Sequence, residues 1–304
     1  MSRRLFYCDQ YAIPLPPGHK FPMAKYRLIR DLLAADGHFQ FQPAALADPR
    51  IIELAHDPDY VHAFLQGALT ASAIRKIGFP WSEGLVKRTL ASVGGTLNAT
   101  SDALETGWGG NLAGGTHHAF RSEGSGFCVF NDIAVSIQWL RSTGRITRAA
   151  IIDLDVHQGD GTALIFQNEP NVLTVSMHSK NNFPFRKQHS QIDVDLADGM
   201  RDEEYLRALD MVLLQVFAFE PQIVFYQSGV DVLASDTLGR LDLTHQGLME
   251  RDRRVMSAAS AHHVPLVVTL GGGYSNPIQH TAEAHANTFR TAAEVFNGGK
   301  KIAI

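Results

Sequence analysis

The stretch AAIIDLDVHQGDG, Ala149 to Gly161, decides the fold of this chain. Its first four residues are small or β-branched and apolar, as in a strand buried on both faces. The next nine carry Asp153, Asp155, His157 and Asp160. A charged group is costly to bury unless it is paired or bound to a metal. A strand that runs into a core and ends in carboxylates therefore needs a compensating cation.

Composition limits where that cation can come from. The 304 residues carry 27 Lys and Arg against 31 Asp and Glu, a formal charge of −4. The most basic stretches, Arg251-Asp-Arg-Arg254 and Lys300-Lys301, are too short to form the basic face of a nucleic-acid binder. Cys8 and Cys128 lie far apart with no CxxC spacing, which excludes a disulfide framework and fits a reducing compartment. No apolar segment is long enough to span a bilayer, and the N-terminus lacks the apolar centre of a signal peptide. The expectation is a cytoplasmic, soluble protein with neither nucleic acid nor membrane as partner. An α/β chain of this length is commonly one domain, and no linker or repeat divides residues 1–304.

Working outward from 149–154, apolar β-rich runs recur at 5–8, 172–177, 223–227 and 265–270. Helical spacing marks 23–35, 84–105, 131–141, 203–219 and 246–262. Continuous apolar strands alternating with amphipathic helices predict an α/β fold, a three-layer αβα arrangement around a mainly parallel sheet. Such sheets bind ligands beyond the carboxyl ends of their strands. The chemistry-bearing residues gather there. Asp153, Asp155 and His157 follow 149–154, Asp231 follows 223–227, Tyr274 follows the Gly271-Gly-Gly turn after 265–270, and His117-His118 follow Leu112-Ala113.

Each piece has an ordinary structural explanation. A lone aspartate after a strand is usually a helix N-cap, a glycine triplet can be only a tight turn, and 14 histidines cannot all be ligands. Their coincidence at one sheet edge favours a site. Asp155 and His157, two apart in an extended segment, share a side, and Asp231 completes a three-ligand set that leaves a position open for water, the form of a catalytic zinc site. Two aspartates cancel the charge of a divalent ion, so the water needs a base. His117 and His118 can supply it, each oriented by a carboxylate on its far nitrogen, with Asp153 and Asp160 as the candidates. Tyr274 can place a phenol where a carbonyl oxygen becomes an oxyanion.

These residues resemble the zinc-dependent histone deacetylase family of the arginase/deacetylase fold. GTHHA, GFCVFND, DLDVHQGDGT, VSMH, YQSGVDVL and LGGGY stand in that family's order and approximate spacing over nearly the whole chain. The segments 176–206 and 228–244 are most similar to its class IV branch and bacterial relatives. The resemblance implies Asp155, His157 and Asp231 as zinc ligands, with His117, His118, Tyr274, Asp153 and Asp160 as catalytic residues. It implies Gly126, Phe127 and Phe183 as walls of an acyl-lysine tunnel and Arg27 near its inner end. It also implies a structural K+ or Na+ held by Asp153, Asp155, His157, Ser176 and Met177.

The implied reaction is hydrolysis of an N-epsilon-acyl-lysine amide in a protein or peptide. Acetylated polyamines and other small acylated amines fit the same residues. An aspartate-rich site also accepts Fe2+ or Co2+. A binuclear ureohydrolase would need further acids where Gly159 and Leu233 stand, and a non-catalytic acyl-lysine binder would be expected to lack a ligand, a tandem histidine or the tyrosine. Signatures of other hydrolases, HExxH, GxSxG and the Walker loop, are absent from the sequence.

Overall fold

The computed structural model describes residues 3–296, so Lys300-Lys301 lie outside the described residues. Among these described residues eight strands form one sheet, every neighbouring pair parallel. They are β1 (Arg3–Tyr7), β2 (Phe39–Pro43), β3 (Trp108–Asn111), β4 (Ala149–Asp153), β5 (Val172–Ser179), β6 (Ile192–Leu196), β7 (Val224–Gln227) and β8 (Leu266–Thr269). Their spatial order is β2-β1-β3-β8-β7-β4-β5-β6. The last strand in the chain, β8, thus lies in the middle and joins β3 to β7.

Among the described residues ten α-helices connect and cover the sheet: α1 (Lys25–Ala35), α2 (Pro49–Ile52), α3 (Pro58–Leu65), α4 (Ala71–Ile77), α5 (Glu83–Thr106), α6 (Asp132–Ser142), α7 (Asp160–Phe166), α8 (Asp202–Ala218), α9 (His245–Ala261) and α10 (Ile278–Phe296). Helices α1, α10, α9 and α8 pack in succession, and α5 packs with α6 and α3. Two adjacent glycines show that these groups lie on opposite faces. Side chains alternate along a strand. A Cβ on Gly109 would lie 2.0 Å from the Ala99 carbonyl oxygen of α5, and one on Gly110 would lie 2.8 Å from the Phe289 ring of α10. The pair lets both helical layers close on β3.

Local signals set the helix ends. Ser82 accepts a hydrogen bond from the Leu85 amide to start α5, and left-handed Gly107 ends it. Asn131 caps α6 through the Ala134 amide, and Thr244 caps α9 through that of Gly247. The central strands β4, β7 and β8 are buried along their whole length. The Arg251-Asp-Arg-Arg254 stretch is no surface patch, because Arg251 and Asp252 are fully buried in α9.

Candidate active site

The four central strands, β3-β8-β7-β4, each deliver part of one cluster at their carboxyl ends. Strand β4 stops at Asp153, so Asp155 and His157 are not brought together by strand alternation as the sequence suggested. The following loop does it instead. Its amides fold onto its own carboxylates: Asp155 N donates to Asp153 Oδ1 (3.1 Å) and His157 N to Asp155 Oδ1 (3.0 Å). Asp231, on the loop after β7, caps no helix. Its Oδ1 accepts from the Val156 amide at 2.9 Å, which locks the two loops together. His157 Nδ1 lies 3.1 Å from both Asp155 Oδ1 and Asp231 Oδ2. Ligand atoms of Asp155, His157 and Asp231 lie within 4.8 Å of one another, the one such group of three among the described residues.

The electrostatics of this trio fit a cation. Burial would raise the Asp155 carboxyl, but His117 and His157 hold it well below the usual carboxylate range. Asp231 is pushed up to about 7 by burial and then by the Asp155 charge. One imidazole does not balance two buried carboxylates, and a divalent ion at the same atoms would keep both ionised.

Beside the trio stand two parallel histidine–carboxylate pairs. His117 Nδ1 meets Asp153 Oδ2 at 2.7 Å, and His118 Nδ1 meets Asp160 Oδ1 at 2.7 Å. The two rings are 4.0 Å apart. At that separation two imidazolium charges repel strongly, and their environments divide them. For His117 the cost of burial is outweighed by Asp153 and Asp155, which lift it to about 9. His118 is lowered to about 4 by burial and then by His117. One ring is a cation and its neighbour is neutral.

Tyr274 is held through its backbone, its amide donating to Asp236 Oδ2 at 2.6 Å. Burial, then Asp231 and Asp155, raises its phenol well above the usual range, so the hydroxyl keeps its proton and can donate. Phe183 packs edge-on to His118 with centroids 4.9 Å apart, and Phe127 lies 6.5 Å from Tyr274. Gly126 passes His118 so closely that a Cβ would lie 2.7 Å from its ring. Phe127 has φ +65°, a conformation rare outside glycine. These residues, with His117, His118, Asp155, His157 and Tyr274, line a cavity of about 420 Å3. Ser176 lies in register with Asp153 on the neighbouring strand β5, and Met177 follows it.

Arg27 is the exception. It does not line the cavity; its side chain is 64 % exposed and ion-paired with Asp31. Helix α1 buries Lys25, Tyr26, Ile29 and Leu33, and a residue two after Lys25 falls on the opposite face. Lys25 is the buried cation of α1. Its Nζ donates to the Gly271 carbonyl at 2.8 Å and lies 5.4 Å from the Tyr274 ring, and burial lowers it to about 8 against the pull of Asp231 and Asp155. The spacing of Lys25 with Ile29 and Leu33 was its signal in the sequence: a lysine on an apolar stripe. Asp236, which anchors Tyr274, had no such signal.

Comparison with known proteins agrees with this geometry. The histone deacetylase domain model matches residues 19–292. An uncharacterized protein of Picosynechococcus is 46 % identical over 301 residues, covering 97 % of this chain and 100 % of its own. Histone deacetylase 2 of Arabidopsis thaliana is 32 % identical over 84 % of this chain and 70 % of its own length. The acetoin utilization protein AcuC of Bacillus subtilis is 30 % identical over 84 % and 72 %. The all-parallel sheet between two helical layers is the arginase/deacetylase fold, and the chain belongs to the histone deacetylase family.

Proposed function

We propose that the protein is a cytoplasmic zinc-dependent hydrolase that removes the acyl group from N-epsilon-acyl-lysine. One observation carries this reading: a three-ligand group stands beside two buried histidine–carboxylate pairs at the base of an aromatic-walled cavity. Asp155, His157 and Asp231 would hold the ion, which when bound acidifies water and polarises the acyl carbonyl. Fe2+ and Co2+ suit the same donors. Asp153, Asp155, His157, Ser176 and Met177 would hold a structural K+ or Na+.

The chain's own residues do the rest. Phe127, Phe183 and Gly126 enclose the lysine methylenes. His118, neutral and fixed through Nδ1 by Asp160, offers Nε2 to take the proton of the attacking water. The His117 imidazolium, held by Asp153, opposes the negative charge that develops nearby. Tyr274 donates to the oxyanion. His118 then returns its proton to the departing lysine amine. Gly159 speaks against the binuclear ureohydrolase: it supplies no acid, and a Cβ there would lie 2.3 Å from Asp153 Oδ2, so a side chain would displace Asp153 from its bond to His117.

The test is hydrolysis of an acetyl-lysine peptide and of acetylated polyamines by protein of measured metal content, before and after chelation. Activity on the peptide, lost with the metal and restored by zinc, is the expected result. Undiminished activity of fully chelated protein, or hydrolysis of polyamines alone, would overturn the proposal.

A further inference from the structure

The cavity does not stop at the reacting atoms. It continues inward to Phe21, Tyr26, Leu85 and Arg88, between α1 and α5. With the lysine chain between Phe127 and Phe183, the far end of the acyl group points into this chamber. Two buried cations line or adjoin it, and they differ. Lys25 is occupied by the Gly271 carbonyl and faces the carboxylates of Asp231 and Asp155. Arg88 is 7 % exposed, and its Nη1 is buried with no hydrogen-bond partner. Among the described residues no carboxylate forms an ion pair with it. Asp9, on the 3-10 turn that packs against α5, gives Oδ2 to Arg30 at 3.0 Å and makes no ion pair with Arg88, its Oδ1 being buried without a partner. The Arg88 guanidinium rests 4.4 Å from the Tyr26 ring centroid and 5.7 Å from that of Phe21. Its aromatic neighbours shield its faces, the Tyr26 hydroxyl stands within reach of the guanidinium, and Nη1 is left without an acceptor.

A buried guanidinium without an anion is costly, and a planar carboxylate is the group that matches its fork of donors. We propose that the inner chamber selects acyl groups ending in a carboxylate, of the succinyl and glutaryl kind, with Arg88 receiving that terminus; this rests on the lysine deacylase reading. A simple aliphatic acyl group fills the chamber but leaves Arg88 Nη1 unpaired. The chemistry at the reacting end is unchanged. Water adds across the amide, its hydroxyl going to the acyl carbon and its hydrogen to the lysine nitrogen, and a dicarboxylate leaves.

The experiment compares kcat/KM of the zinc-loaded protein on one peptide carrying acetyl-, butyryl-, succinyl- or glutaryl-lysine. Butyryl controls for chain length. Succinyl or glutaryl is expected to exceed butyryl by roughly tenfold or more, as charged hydrogen bonds allow. Arg88→Met should reverse that order, whatever it does to the acetyl rate, and Arg88→Lys should keep part of it. Succinyl and glutaryl both slower than butyryl in the wild type overturns the inference even if Arg88→Met fails to fold. An unchanged order in Arg88→Met also overturns it. So does an Arg88→Met effect confined to inhibition by free acetate, which would give Arg88 to the leaving product. Inactivity on all four peptides is a different failure: it overturns the deacylase reading itself, and this inference with it.

Discussion

Two clusters of buried charge flank the carboxyl ends of β4 and β7, and only one is balanced. On the α9 side, Arg251 donates to the carbonyls of Gly229 (2.7 Å) and Leu154 (3.3 Å) and pairs with Asp252 at 2.8 Å. Asp252 also accepts from the Tyr226 hydroxyl (2.5 Å) and Thr288 Oγ1 (2.6 Å). Burial alone would lower the pKa of Arg251, and Asp252 more than offsets it. On the cavity side, Asp155 and Asp231 share one imidazole, and Asp231 is pushed to about 7. Both pairs of charged groups, Arg251 with Asp252 and Asp155 with Asp231, are buried. A carboxylate matched to the buried guanidinium marks the first as support for the loops, and a missing positive charge marks the second as a place for something that arrives.

The largest effect should come from Asp231→Asn. Losing an anionic donor should abolish metal retention and lower turnover by more than the roughly 10- to 100-fold seen for outer partners of metal ligands. The contrast also predicts that this variant, stripped of metal, is at least as stable as the metal-free wild type, because the repulsion with Asp155 is gone. Marked loss of stability in a denaturant titration would break the comparison. Arg251→Met should do the reverse, leaving Asp252 buried and unpaired at a cost of about 3–5 kcal/mol, read as a fall in the unfolding midpoint.

The two tyrosines give a finer test. Tyr274→Phe should lower turnover about a hundredfold, or about 3 kcal/mol, with zinc content and Tm almost unchanged. Tyr226→Phe should instead cost stability, about 1–3 kcal/mol for the donor withdrawn from Asp252. Turnover of Tyr274→Phe within about threefold of wild type would remove it from the mechanism. The smallest effect concerns His56, which is balanced by neutral groups alone. Its Nε2 accepts from the Asn131 amide at 2.8 Å and its Nδ1 meets the Arg121 carbonyl at 3.2 Å. Burial lowers it from 6.5 to about 4. The unfolded chain takes up this proton below 6.5 and the folded one does not until about 4, so the contribution is intact above 6.5 and is lost as pH falls through that window. Relative to His56→Gln, the wild type should lose about 1 kcal/mol of stability between about pH 7 and 5.5, and a flat difference would show that His56 titrates normally.

Much of this was legible in the sequence because buried parallel strands announce themselves. The runs near 149–154, 172–177, 223–227 and 265–270 became β4, β5, β7 and β8 within a residue or two. β2, β3 and β6 lie outside the strands read from the sequence. β2, reading FQFQP, and β6, reading IDVDL, are the two edges, where one face meets water and no continuous apolar run is needed. β3, reading WGGN, carries the glycines that strands usually avoid, and only the close approach of α5 and α10 explains them. At the site, residues in compact motifs could be placed by their neighbours. Lys25 and Arg27 stand in no such motif, and which of the two faces inward follows only from the rotation of α1 that Ile29 and Leu33 set.

The central position of β8 also has a consequence in time. As the chain leaves the ribosome, residues up to Asn111 can assemble β2-β1-β3, and residues 149–227 can assemble β7-β4-β5-β6, but β3 and β7 are not neighbours. The seam between these half-sheets closes only when residues 266–269 emerge and slide between them. His117 and His118 follow the first half; Asp153, Asp155, His157, Asp160 and Asp231 belong to the second; Tyr274 follows the seam strand itself. No nascent fragment short of that strand holds the whole constellation, so its members come together only after β8 has emerged.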